Sequence, residues 1–151
     1  MKVDLFCGAG DIPDAEKHIP AILRMEAESY GTPWTEAQLK DTLQYDYNML
    51  LVLTEDDETC GYLIANMLMD TSELLRITVD TAKRRCGYGR ALLEGYLSEI
   101  RGLCETGLLE VRESNTSARA LYERAGYREL SRRKNYYSNP TEDAVVMEIT
   151  C

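Results

Sequence analysis

The sequence predicts one α/β domain of the α+β kind, residues 1–151, in which a mixed, mostly antiparallel sheet of about six to seven strands carries about four packed helices. Three observations predict it. Between Met49 and Val79 lie three apolar or alternating runs divided by polar, acidic turns, which read as strands in antiparallel succession. Two later segments, Gly89–Glu105 and Ser117–Ala125, carry apolar residues at helical spacing. A chain of 151 residues with 44% apolar content is long enough to bury a single core without disulfide or metal support.

Val3–Cys7 reads as the first strand, ended by the turn formers and proline of Gly8–Pro13. A helix is predicted over Asp14–Ser29, where Ile19, Ile22, Leu23 and Ala27 recur at helical spacing and Glu16, Lys17, Glu26 and Glu28 supply much of the wet face. Tyr30-Gly31-Thr32-Pro33-Trp34 breaks it. Thr35 then caps a second helix with Gln38 three residues on, a capping-box spacing, and Leu39 and Leu43 mark its buried side. The strands Met49–Leu53, Tyr62–Met69 and Glu73–Val79 follow, separated by Glu55-Asp56-Asp57-Glu58 and Asp70-Thr71-Ser72. In the helix Gly89–Glu105, Leu92, Leu93, Tyr96, Leu97, Ile100 and Leu103 form one apolar face. Gly107–Val111 is a buried strand, Ser117–Ala125 a short helix with Gly126 as its left-handed cap, and Tyr127–Tyr137 and Ala144–Ile149 the last two strands. No repeat or low-complexity tract interrupts the order β-α-α-β-β-β-α-β-α-β-β.

Charge and composition narrow the function. With 26 acidic against 17 basic residues the net charge is -9, which repels a phosphate backbone and suits cationic partners such as a basic peptide. No apolar run approaches the roughly 20 residues of a membrane span, and the first residues lack a signal-peptide pattern, so a soluble, cytoplasmic protein is expected. The five cysteines are odd in number, widely spaced and without a C-x-x-C pair, as expected of reduced thiols rather than a zinc or redox motif; no metal is implied. A lone histidine, His18, lies far from any motif and is expected on the surface or in helix packing. Histidine-dependent Ser or Cys catalysis is thereby unsupported.

The chemistry concentrates where the strand ending at Val79 passes through Lys83-Arg84-Arg85-Cys86-Gly87-Tyr88-Gly89-Arg90 into a helix. Such a turn aims free backbone N–H groups at one point, and glycine lets a diphosphate approach the main chain. A dinucleotide fold is the competing reading, since Gly87-Tyr88-Gly89 opens a helix and Glu110 ends the next strand. It fails because Leu92 stands at the third glycine of G-x-G-x-x-G and the turn is too long; G-x-x-x-x-G-K-[ST] is absent as well.

The R-x-x-G-x-G of Arg84–Gly89 resembles the pyrophosphate-binding motif of the Gcn5-related N-acetyltransferases (GNAT). Downstream, Leu109-Glu110-Val111-Arg112-Glu113-Ser114-Asn115 and Ala118-Arg119-Ala120-Leu121-Tyr122 through Gly126-Tyr127 are similar to the longer L-E-V-R-x-S-N and A-x-x-L-Y-x-x-x-G-[FY] run of that superfamily. Asn135-Tyr136-Tyr137, Glu142-Asp143-Ala144-Val145-Val146-Met147 and Pro33-Trp34 resemble signatures of its ribosomal-protein-alanine N-acetyltransferases, the RimI type. The match covers most of the chain from Ile77 onward and is weak before Met49.

The resemblance implies a GNAT-like fold and acetyl-CoA as co-substrate. It places Ile77, Thr78 and Val79 along the pantetheine arm, Arg84, Arg85, Cys86, Gly87, Tyr88, Gly89 and Arg90 at the pyrophosphate, and Asn115 and Tyr122 at the coenzyme. Glu110 becomes the general base and Tyr122 the acid that protonates the departing thiolate. Trp34, Tyr136 and Tyr137 are either core aromatics or, as the family implies, the border of a peptide groove. Asn115 is equally a helix cap, and Cys86 reads as a chemical bystander. The implied partner is a basic protein N-terminus, that of a ribosomal protein, with no nucleic acid or membrane and a monomer or weak dimer. Acetylation of lysine side chains or of a small amine, and a silent acyl-CoA sensor, are the alternatives.

Overall fold

A computed structural model describes residues 1–151. Its seven strands form one sheet, β1 (Lys2–Cys7), β2 (Asn48–Glu55), β3 (Glu58–Leu68), β4 (Thr71–Val79), β5 (Thr106–Arg112), β6 (Arg128–Tyr137) and β7 (Glu142–Thr150), in the order β1-β2-β3-β4-β5-β7-β6. All neighbours are antiparallel except β4 and β5, the pair joined by a helical crossover. Beside the single turn α1 (Ile12–Ala15), four helices pack on the sheet: α2 (Ile19–Ser29), α3 (Glu36–Leu43), α4 (Tyr88–Ile100) and α5 (Thr116–Ala125). The expected mixed α/β architecture is the one observed.

The central strands are buried on both faces, which is why β2 reads as an unbroken apolar run. Met49, Leu51 and Leu53 face α4 and the side of the core that holds Leu92, Tyr96 and Ile100, while Leu50 and Val52 face α2 and α3 with Ile19, Ile22 and Leu39. Period-two alternation therefore separates the two cores without separating apolar from polar.

The predicted first helix divides at Pro20. Pro20 cannot donate to Glu16 and its ring crowds that carbonyl, so a 3-10 turn over Glu16–His18 intervenes and Pro20 sits in the first turn of α2. His18 proves to be a packing residue: it is 4% exposed, its Nδ1 lies 2.8 Å from Thr59 Oγ1, and its ring tilts against Phe6. Glu26, expected on the wet face, is buried beneath the segment that follows α2. The helix expected to run to Glu105 ends at Ile100, because Arg101 turns extended and Gly102 adopts φ 80°, and Leu103 points to solvent.

Two irregularities shape the site. Between β3 and β4 the register passes from Ile64↔Arg76 to Ala65↔Leu74, so Leu75 is an extra residue on β4. At the same place β4 leaves β5: the parallel pairing stops at Leu74↔Leu109 although both strands continue. The flank of Ile77–Val79 that faces β5 consequently has no strand partner, and a cleft opens between the strands.

Candidate active site

A cavity of about 1030 Å³ adjoins this splay. Its walls are Ile77, Thr78 and Val79 of β4, one side of α4 from Tyr88 to its cap Arg101 with the loop before it, residues of α5, and Ser29 and Tyr30 at the end of α2. Gly87 caps α4 in the left-handed region at φ 81°, a conformation that glycine adopts without strain. The first intrahelical bond is Ala91 N–H to Gly87 O, which leaves the N–H groups of Tyr88, Gly89 and Arg90 free at the positive end of the helix.

The cavity is strongly basic on a chain of net charge -9. Arg84, Arg85, Arg90, Arg101 and Arg124 line it against a single acid, Glu94, which Arg90 holds at 2.8 Å. Of the predicted loop residues only Cys86 stays outside, exposed, with its thiol 3.7 Å from the Arg84 carbonyl. Asn115 serves α5 as its cap, accepting from Ala118 N–H at 3.3 Å, and also lines the cavity.

Tyr122 projects from α5 to the junction between the cavity and the far side of the splay. It is 5% exposed and packs edge-to-face on Tyr127, with ring centroids 5.8 Å apart. Burial raises its phenol pKa well above the ordinary value, and the neighbouring Tyr30 and Tyr137 add to that rise. On the far side, Glu110 leaves β5 with Arg133 Nε 2.9 Å from its carboxylate. The same carboxylate holds Tyr136 protonated by hydrogen bonding to its phenol, and burial with Glu110 nearby pushes Tyr137 up to about 12.

The aromatic pair is put there by a break in the last hairpin. Between Arg133↔Ala144 and Tyr137↔Glu142 four steps on β6 face two on β7. Asn135 absorbs the excess at φ 53°, with its N–H donated to Asp143 at 2.8 Å. Glu142 accepts from the Ser114 N–H at 2.6 Å and pairs with Arg112 at 3.2 Å, tying β7 to the loop before α5. The N-Y-Y and E-D segments are two halves of one support. Trp34 lies beside Arg76 and against the α2–α3 side of the core. Neither Glu110, Trp34, Tyr136 nor Tyr137 lines the basic cavity.

The acetyltransferase (GNAT) family profile matches residues 19–127. The chain belongs to the GNAT family. A relative in Escherichia coli K12, named ribosomal protein bS18-alanine N-acetyltransferase, is 36% identical over 135 residues, covering 87% of this chain and 90% of its own. The crystal structure of the ribosomal-protein-S18-alanine N-acetyltransferase from Escherichia coli superposes with a TM-score of 0.80 at 32% identity, over 99% of this chain and 94% of the other. Arabidopsis thaliana NAA60 in complex with acetyl-CoA, 14% identical, shares the fold at a TM-score of 0.79 over 99% and 100% of the two chains.

As a GNAT protein the chain is an acetyl-CoA-dependent N-acetyltransferase, and its cavity suits that co-substrate. Free N–H groups and unpaired arginines meet the needs of a diphosphate, and the partnerless flank of β4 offers main-chain donors and acceptors to an extended amide-bearing arm. The GNAT match also accounts for the glycine loop without a dinucleotide fold. Sequence reasoning passed over Ser29 and Tyr30, which line the cavity. Their one signal was position: an aromatic residue directly before a Gly-x-Pro break is placed to turn inward from a helix end.

Proposed function

We propose that this enzyme acetylates the α-amino group of an N-terminal alanine on a basic protein of the bS18 type, by direct transfer. The observation that carries the reading is the 36% identity to ribosomal protein bS18-alanine N-acetyltransferase over nearly the full length of both chains. The chemistry of the groove supports it. An α-amino group titrates near ~8 against ~10.4 for lysine, so more of it is neutral at working pH. An acidic surface of net charge -9 attracts a basic chain.

In this mechanism acetyl-CoA supplies a thioester carbonyl at the unpaired flank of β4. Main-chain N–H groups near Val79 meet the negative charge that develops on the carbonyl oxygen. Glu110 takes the amine proton, directly or through a water, from the groove side. Tyr122, buried and protonated, delivers its proton to the departing sulfur from the cavity side. Tyr136, Tyr137 and Trp34 border the entering peptide. Ile77–Val79, the loop Arg84–Arg90 and Asn115 hold the coenzyme.

Thiol release with two peptides tests the assignment. One begins Ala-Arg with a free N-terminus; the other is the same peptide N-terminally blocked and carrying an internal lysine. Turnover of the first alone is the expected result. Turnover of the blocked peptide moves the function to lysine, and binding of acetyl-CoA with neither peptide modified moves it to a small amine or a sensor.

A further inference from the structure

Arg76, a charged residue of β4 for which the reaction above has no use, stands between a buried carboxylate and an aromatic residue that lines the cavity. Glu26 is 1% exposed, and its carboxylate accepts from the Tyr62 hydroxyl, from the Trp34 N–H at 3.0 Å, and pairs with Arg76 Nε at 3.5 Å. A carboxylate persists at such a depth only with partners of this kind. On its other side the Arg76 guanidinium lies 3.8 Å from the Tyr30 ring centroid and 5.5 Å from that of Trp34, and Nη2 donates to the Thr32 carbonyl at 3.3 Å.

All of these contacts outside Glu26 fall on one short segment, Tyr30–Trp34, which joins α2 to α3. Tyr30 lines the coenzyme cavity, with its hydroxyl 2.9 Å from Thr78 Oγ1, and Trp34, at the other end, is the residue that the proposed function sets at the border of the entering peptide. Residues 31–34 belong to no helix or strand. Tyr30 keeps the last bond of α2, its N–H to the Glu26 carbonyl at 3.0 Å, and its hydroxyl meets β4, while Trp34 packs on the core; the charged contacts that join these two ends are the guanidinium against both rings and the carboxylate that grips the Trp34 backbone. A planar cation does this where an ammonium cannot, because it offers a face to the rings and an edge to the carboxylate together.

We propose that Arg76 is a positioning residue that clamps Tyr30–Trp34 against β4 and so fixes the acceptor side of the site, without touching coenzyme or acceptor. The inference rests on the proposed function only in taking this side as the one an amine enters. An error of about an ångström in such a wall is enough to misalign an attacking nucleophile.

Steady-state kinetics of Arg76→Met, Arg76→Lys and the double variant Glu26→Gln/Arg76→Met test it, with whichever acceptor the wild type turns over. The double variant removes both buried charges and guards against unfolding caused by an unpaired Glu26. For Arg76→Met and the double variant the acceptor KM is expected to rise about tenfold, the effect of one or two lost cation–π contacts, with the acetyl-CoA KM within about twofold of wild type. Arg76→Lys should fall between. A ratio of the two KM values unchanged from wild type overturns the proposal, including the case in which every variant merely melts at lower temperature; so does an acetyl-CoA KM that rises as much as the acceptor's. Should the wild type modify the lysine peptide, the N-terminal reading fails while the Arg76 ratio, read on that acceptor, still decides this one.

Discussion

Burial raises the Tyr122 phenol pKa well above its ordinary value, which suits the proposed role of proton donor. Tyr122→Phe removes the proton while keeping the packing against Tyr127. Its kcat is expected to fall by about 10²-fold or more with acetyl-CoA affinity unchanged, as calorimetric titration and thiol release would report. Glu110→Gln is expected to lower kcat by a similar factor in the same assay; a wild-type kcat in this variant would remove Glu110 from the reaction. These two residues are proposed because they sit inside a long, ordered motif. Tyr30, Glu26 and Arg76 were not legible in the sequence, because their roles arise from a meeting of α2 and β4 separated by some fifty residues in sequence. A glutamate at helical spacing with other acids reads as solvent-facing until the aromatic segment that covers it is seen.

At the scale of elements, the glycine turn, the amphipathic α4 and α5 and the hairpin run β2–β4 were legible from periodicity and turn chemistry. The capping box of α3 forms as its spacing predicted, with Thr35 N–H to Gln38 Oε1 at 2.9 Å and Gln38 N–H to Thr35 Oγ1 at 3.1 Å. Thr35→Ala should cost about 1 kcal/mol of stability in a denaturant titration. Gly87, at φ 81°, cannot be replaced by a branched residue without strain. Gly87→Val is expected to leave the circular dichroism of the fold unchanged and weaken acetyl-CoA binding about tenfold, the equivalent of ~1–2 kcal/mol of left-handed strain relieved by moving the loop. Less legible were the features that break a period: Leu75 as an extra residue on β4, and the four-against-two step at Asn135. A bulge leaves the apolar pattern nearly intact while turning the backbone, so composition gives no sign of it, yet these two bulges aim β4 at the cavity and Tyr136 and Tyr137 at Glu110.

For the whole molecule, charge and burial set the response to solvent. The chain is acidic overall while its cavity is basic, and on the proposed function the KM for a basic peptide is expected to rise with salt between 50 and 300 mM as the surface field is screened. An unchanged KM would mean that the surface charge plays no part in recruitment. His18 gives the fold an acid sensitivity. Burial, then the neighbouring Lys17, lowers its pKa below the unfolded value near ~6.5, so on acidification the unfolded chain takes up a proton before the folded one does. The stability tied to neutral His18 is complete above about pH 7 and lost as pH falls below ~6.5, and His18→Gln should flatten the melting temperature across that window. The central claim, that the acceptor is an N-terminal amine, is tested most directly by tandem mass spectrometry of a single peptide bearing both a free N-terminal alanine and an internal lysine, after partial turnover with acetyl-CoA near pH 7.5. Acetyl found on the α-amino group alone is the expected result; acetyl on the lysine, or on both at comparable rates, would contradict it.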